Sequence, residues 1–254
     1  MTIKNDTERE DLIEGGKRLA RVFETLRAKV APGVTAEELD DLAEQLIREG
    51  GDEPCFLGYT SEGARRPYPA TLCVSINDEV VHGIPNESVK TLKEGDIVGL
   101  DLGLTHNGVI VDAAITVPVG EVSEESKKLL RATEKALATG IAKAIPGNHI
   151  GDISSAIQKE IENAGFKVVR ELGGHGVGEL VHEEPFIPNF GRAGEGELLL
   201  EGMVLALEPI AAAGKAAVTL APDGYTYRTK DGSRSAHFEH TILLEASGAR
   251  IITT

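Results

Sequence analysis

Five side chains that favour metal ions stand along the chain in the order Asp101, Asp112, His175, Glu208 and Glu239. Four carboxylates and one imidazole gathered in one pocket repel each other unless cations sit among them. The set therefore predicts a site that holds metal ions and uses them. The five are far apart in sequence, but four lie in runs that read as strands, where facings are fixed.

The geometry of the first two follows from strand arithmetic. Asn107-Gly108 is a hairpin dipeptide between apolar runs. A two-residue turn there pairs His106 with Val109 and Gly103 with Asp112, and puts Asp101 on the same face as Gly103. Asp101 and Asp112 are then diagonal neighbours, about 7–8 Å apart at the backbone. Gly103 is expected to leave room for ions between them. Two solvent-facing aspartates are the competing reading, against which stand the apolar runs and the depletion of Asp from strands.

Glu208 ends the apolar run Met203–Leu207. A buried carboxylate there needs a partner, either a metal or an arginine. In Ala236–Thr241 alternation puts His237, Glu239 and Thr241 on one face and Phe238, His240 and Ile242 on the other. His240 reads as a core or surface histidine. His237 is expected, on balance, to stay outside the site.

His175 sits in Gly173-Gly174-His175-Gly176-Val177-Gly178. This is neither GxGxxG nor a P-loop, so phosphate binding is rejected, and the glycines are expected to let backbone approach a ligand. His182-Glu183-Glu184-Pro185 begins like a zincin helix, but Phe186 replaces the second histidine and the proline opposes a helix. His82, a lone histidine after a strand, reads on residue type alone as structural. His106 and His149 receive no role.

Positioning these residues falls to a mixed α/β chain. Helices are predicted over 8–30 and from the capping-box pair Thr35/Glu38 to Gly50-Gly51. Strands are predicted at 71–76, 97–105 and 109–118. The plan then repeats, with helices at 124–144 and 151–163 and strands at 167–171, 203–210, 225–229, 236–245 and 249–253. The Pro-Gly pairs at 32–33 and 146–147 lie 114 residues apart, and around them Leu39, Ala43, Ile47 and Gly51 align with Ile153, Ile157, Ile161 and Gly165. Such an offset suggests two related halves, about 8–120 and 121–254, in a single domain with the site at their junction.

Composition bounds the rest. The 254 residues are 41 % hydrophobic but only 4 % aromatic, with no Trp, which predicts a large aliphatic core. A formal charge of −15 argues against a protein that tracks nucleic-acid phosphates. Cys55 and Cys73 form no CxxC pair and read as reduced core thiols. With no apolar leader at the start and no run of about 18 apolar residues, the expectation is a cytoplasmic protein without a membrane span.

Five strings carry a further signal: SINDEVVHGIP (75–85), GLDLGLTHNGVIVDAA (99–114), GGHGVGELVHEEP (173–185), LALEPI (205–210) and SAHFEHTILL (235–244). Together they resemble the type I methionine aminopeptidases, members of the pita-bread metallopeptidases. The 25 residues between His182 and Glu208 leave no room for the helical insertion of the type II enzymes. The resemblance implies an α/β (α+β) pita-bread fold, a pseudo-two-fold antiparallel sheet with helices on its outer face. It implies a metallo-exopeptidase that removes N-terminal methionine from nascent chains through a hydroxide bridging two divalent ions, of the class Mn, Fe, Co or Zn. Asp101 would chelate one ion, His175 and Glu208 the other, and Asp112 and Glu239 would bridge them. Glu208 would also move the water's proton, while His82 and His182 would steady the substrate. Tyr59, Tyr68, Cys73 and Cys55 resemble side-chain-pocket residues. Val181, Tyr225 and the stretch 60–67 depart from the family pattern, which keeps a broader aminopeptidase or a prolidase-like hydrolase as the alternative. A nascent-chain substrate implies a transient encounter with the ribosome.

Overall fold

In a computed structural model, which describes residues 1–60 and 63–254, Asn107 and Gly108 both take left-handed backbone, with φ of 49° and 85°. A turn of that hand matches strand twist, and it sets the longest hairpin in the protein. Strand pairing follows the predicted register from His106 opposite Val109, through Gly103 opposite Asp112, to Ile97 opposite Pro118.

The elements run in the order α1 (Asp6–Lys29), α2 (Ala36–Glu49), β1 (Glu53–Pro54), β2 (Cys73–Ile76), β3 (Glu79–Val81), β4 (Ile97–His106) and β5 (Val109–Pro118). After these come α3 (Glu124–Ile141), α4 (Ile150–Asn163), β6 (Lys167–Val168), β7 (Gly173–Gly176), β8 (Glu183–Pro188) and β9 (Val204–Leu207). The chain finishes with β10 (Ile210–Ala212), β11 (Val218–Leu220), β12 (Tyr227–Thr229), β13 (Ser235–His237), β14 (Glu239–Glu245) and β15 (Gly248–Ile251).

One nine-stranded sheet dominates. Its path is β1-β4-β5-β14-β9-β7-β8, with β2 beside β4 and β15 beside β14, and every pairing in it is antiparallel. It takes strands from both predicted halves. Helix α1 packs on β4 and β5 and also touches α2, while α3 packs on α4 and reaches β5, β9 and β14. No helix is long and apolar enough, among the described residues, to cross a membrane.

The helices form where the pattern predicts. In α1, Leu12, Leu19, Val22, Phe23 and Leu26 are buried at helical spacing. Gly16 on the same face lets α1 meet the end of the chain, because a Cβ there would collide with the Ile252 carbonyl. Thr35 and Glu38 cap α2 reciprocally. The differences lie in the short strands. The predicted run 236–245 breaks at Phe238 into β13 and β14, and 203–210 breaks after Leu207 into β9 and β10, because the two pieces join different sheets.

Helix α2 also holds the segment leading into β2. Buried Asp40 accepts hydrogen bonds from the backbone N–H groups of Thr71 (2.9 Å) and Leu72 (2.8 Å). Burial pushes its carboxyl up to about 6, against the pull of those two donors. The folded chain therefore keeps this proton at pH values where the unfolded chain, with an Asp pKa of about 3.9, has lost it. Its contribution to stability is full below about pH 4 and is lost as pH rises through about 6. In paired urea titrations, the unfolding free energy of the wild type minus that of Asp40→Asn should fall between about pH 4 and 6. A flat difference would contradict the raised value.

Candidate active site

Register brings the five residues together on one face of the sheet. Ala114 of β5 has Asp101 of β4 on one side and Glu239 of β14 on the other. Asp112 lies two residues along β5, hence on the same face. In the next row Ala206 of β9 stands between Thr241 of β14 and His175 of β7. Glu208, two residues beyond Ala206, shares that face. Small alanines at both central positions leave the space above them to the flanking acids and imidazole. Three strand spacings separate β5 from β7, about 14 Å in a flat sheet. Yet Asp112, His175 and Glu239 each place a donor atom within 4.8 Å of the others. The sheet is therefore curled, with these residues on its concave side.

The cluster is buried and under-partnered. Asp101, Asp112, His175 and Glu239 are all buried. The Oδ1 of Asp112 and the Oε1 of Glu239 have no hydrogen-bond partner. The polar neighbours of Glu208 include His175 Nε2 at 3.7 Å and His237 Nε2 at 3.4 Å, so a histidine pair stands where an arginine was the alternative. Burial raises the carboxyls of Asp112, Glu208 and Glu239 well above the ordinary range, reinforced by the charges of their fellow acids. Burial alone moves Asp101 to about 7. Burial also depresses His175 to about 3, leaving a neutral imidazole able to offer a lone pair. Orphaned carboxylate oxygens beside a neutral imidazole are a donor set that fits divalent cations.

A cavity opens over the cluster, lined by Phe56, Tyr59, Tyr68, Cys73, Val181 and Tyr225 as well as the acids and histidines. Cys73 lies opposite Asp101 in the β2–β4 pair. The Tyr68 hydroxyl donates to Gly83 O (3.1 Å), and its ring meets Tyr225 edge-on. At the mouth, the Tyr59 hydroxyl stands 2.9 Å from His182 Nδ1, and the His182 ring lies 4.5 Å from that of His175. His82 also lines the cavity, with φ of 57°. A histidine in left-handed backbone is strained. Tight packing behind it enforces the conformation: Gly83 O accepts from Val74 N at 2.8 Å, and a Cβ on Gly83 would collide with the Val74 carbonyl.

Several expectations are corrected here. His237 enters the site, with Nε2 3.4 Å from Glu208 and 3.8 Å from Glu239, because β13 and β14 break between them yet keep both side chains inward. Its side chain lies on the face that alternation shares with Glu239. The space over Gly103 is taken by Cys55 Sγ and Phe56, so this glycine makes room for a half-buried thiol rather than for ions. The glycines flanking His175 serve strand packing: a Cβ on Gly174 would strike the Ala206 carbonyl and one on Gly176 the Glu184 carbonyl. His175 thus rides a strand, not a loop. His240 faces away and bonds Thr253 Oγ1 at 2.8 Å, as expected. Of the stretch 60–67, Ser61 and Glu62 lie outside the described residues.

Buried acids and neutral histidines at the floor of an apolar cleft make the chemistry of a metal-dependent hydrolase available. The chain belongs to metallopeptidase family M24, whose model matches residues 10–246. The methionine aminopeptidase of Clostridium perfringens is 44 % identical over 251 residues, covering 99 % of this chain and 98 % of that one. Methionine aminopeptidase 1 of Bacillus subtilis is 44 % identical over 240 residues, with 94 % of each chain covered. The crystal structure of methionine aminopeptidase from Thermotoga maritima superposes with a TM-score of 0.95 at 42 % identity, covering 100 % of both chains. The α/β pita-bread fold implied by the sequence strings is therefore the fold of this chain.

The packing over Gly103 gives a direct check. Gly103→Ala should destabilise by about 1–3 kcal/mol through overpacking, and Cys55→Ala should recover most of that in the double variant. Equal destabilisation with and without the thiol would mean that Cys55 is not the obstacle.

Proposed function

We propose that this chain removes the N-terminal methionine from newly made proteins, as a metal-dependent aminopeptidase. The single observation that carries the reading is the convergence of Asp101, Asp112, His175, Glu208 and Glu239 on the concave face of the sheet, beneath an apolar cavity. Full-length identity of 44 % to a methionine aminopeptidase supports the substrate.

In this reading Asp101, Asp112, His175, Glu208 and Glu239 would hold two divalent ions of the Mn, Fe, Co or Zn class, with Asp112 and Glu239 serving both. When bound, such ions polarise the first peptide carbonyl and acidify a water. Glu208 takes a proton from the attacking water and delivers it to the leaving amide nitrogen; its carboxyl, partly open to the cavity, is placed for this role. His182, with Nδ1 engaged by Tyr59, keeps Nε2 to donate toward the substrate at the mouth. His82 lines the same cavity, and its strained backbone supports a role beyond packing. Tyr59, Tyr68 and Cys73, with Phe56, Val181 and Tyr225, form an apolar, polarisable sleeve suited to a flexible thioether.

The two halves, 8–120 and 121–254, form one domain in this reading, since one sheet runs through both. A nascent-chain substrate fits a cytoplasmic enzyme that meets the ribosome transiently, without nucleic-acid specificity.

Chelated enzyme should be inert on Met-Ala-Ser and should release methionine on adding back divalent metals one at a time. Xaa-Pro dipeptides should stay intact; cleavage of Xaa-Pro without Met-Ala-Ser would replace the reading by a prolidase-like one. Asp112→Asn should abolish turnover with an unchanged circular dichroism spectrum, and persistent activity would refute the bridging role. His82→Ala should slow turnover about 10²-fold or more with metal content intact. Metal loss in that variant would make His82 a ligand instead.

A further inference from the structure

His237 is the one buried histidine in the cavity that the reading above leaves without work. Its backbone is doubly tied to β5: its N–H donates to Thr116 Oγ1 (2.9 Å), and Thr116 Oγ1 donates to its carbonyl (2.7 Å). Pairing with Ile210 fixes it from the other side. The ring is thus held in place, only 4 % exposed, with Nε2 lacking any hydrogen-bond partner. Buried polar nitrogens are rarely left in that state. The atoms that Nε2 faces are Glu208 Oε2 at 3.4 Å and Glu239 Oε2 at 3.8 Å. Both distances exceed a good hydrogen bond, and the other oxygen of Glu239, Oε1, is itself without a partner. At these separations, a modest rotation of either carboxylate would suffice to bring an oxygen onto the imidazole N–H.

We propose that His237 is a positioning residue for the peptidase reaction, donating its Nε2–H to the outer oxygens of Glu208 and Glu239 and so turning their inner oxygens toward the metal ions. The inference rests on the ligand roles assigned above. Side chains that orient metal-binding carboxylates typically change metal affinity or activity by about 10–100-fold when lost. A hydrogen-bond donor here also aims the Glu208 carboxylate at the water whose proton it takes. The competing arrangement has Nε2 unprotonated and bound to an ion as a sixth protein ligand.

The test uses full-length protein labelled with 15N-histidine and loaded with zinc, a diamagnetic probe. His237, assigned by the signal missing from His237→Gln, should carry a slowly exchanging proton on Nε2. An unprotonated Nε2 would overturn the proposal in favour of ligation. In calorimetric titrations, His237→Leu should bind zinc about 10–100-fold more weakly than wild type. At saturating metal its kcat on Met-Ala-Ser should fall by a similar factor, with KM within about twofold. His237→Gln keeps a donor and should recover most of both. Wild-type affinity and kcat in His237→Leu, or equal damage in His237→Gln, would refute the donor role. If the leucine variant does not fold, the proton signal and the glutamine variant decide alone. Failure here is separable from failure of the ligand assignment: should Asp112→Asn lose metal while His237→Leu retains it fully, only the positioning role falls.

Discussion

Four carboxyl groups crowded on one concave surface, three of them buried, repel each other, and that repulsion is the constraint on which the rest of the protein turns. Each acid is costly to ionise where it sits, as the raised values of Asp101, Asp112, Glu208 and Glu239 show. Among the described residues, the basic side chains beside Glu208 and Glu239 are neutral histidines, and no lysine or arginine pairs with any of the four acids. Elsewhere the chain neutralises a buried acid in the ordinary way: Glu79 is buried between Lys90 at 2.8 Å and Arg228 at 2.6 Å. The fold can thus place a cation-bearing side chain beside a buried acid, and at the cavity floor it does not. Charge that the protein leaves uncompensated is charge available to metal ions, and the rigid core around it keeps the acids from escaping to solvent.

Rigidity of that kind is supplied by the hairpin, the sheet and the helices behind it. The Asn107-Gly108 turn locks β4 against β5, and a slip of one residue would put Asp101 and Asp112 on opposite faces of the sheet. Threonines repeat the device between strands. Thr241 Oγ1 accepts from Asp112 N and donates to Asp112 O, and Thr116 does the same for His237. Each ties the backbone beneath an active-site side chain to the neighbouring strand without using that side chain's own polar atoms.

How far the sequence revealed this depends on the range of the signal. The β4–β5 hairpin was legible because a two-residue turn and period-two alternation determine register locally, and Asp101 and Asp112 followed. The helices were legible from their apolar spacing and, for α2, from the Thr35/Glu38 cap. The likeness of five strings to a known family then joined His175, Glu208 and Glu239 to the pair, which periodicity could not do, since their neighbours in the sheet lie far away in the chain. What stayed illegible were effects of packing between distant strands. The glycines around His175 looked like a ligand-binding loop, whereas they exist because β8 and β9 press on that backbone. Gly103 looked like space for ions, whereas Cys55 fills it. The break at Phe238 depends on β13 joining a different sheet from β14, and nothing local announces that.

Two kinds of element therefore divide the work. Strand register places the acid-bearing face: acids opposite alanines, in rows that curl toward one another. Segments between the strands build the walls of the cleft, with Tyr59, Tyr68, Val181, His182 and Tyr225 all outside regular strands. A change of wall residue would reshape the cleft but leave the acids where the sheet puts them. A change of register would destroy both. In the proposed reading, departures from the family pattern at Val181 and Tyr225 would therefore bear on the fit of the substrate's first side chain, while the acids beneath depend on residues that the sheet cannot move independently.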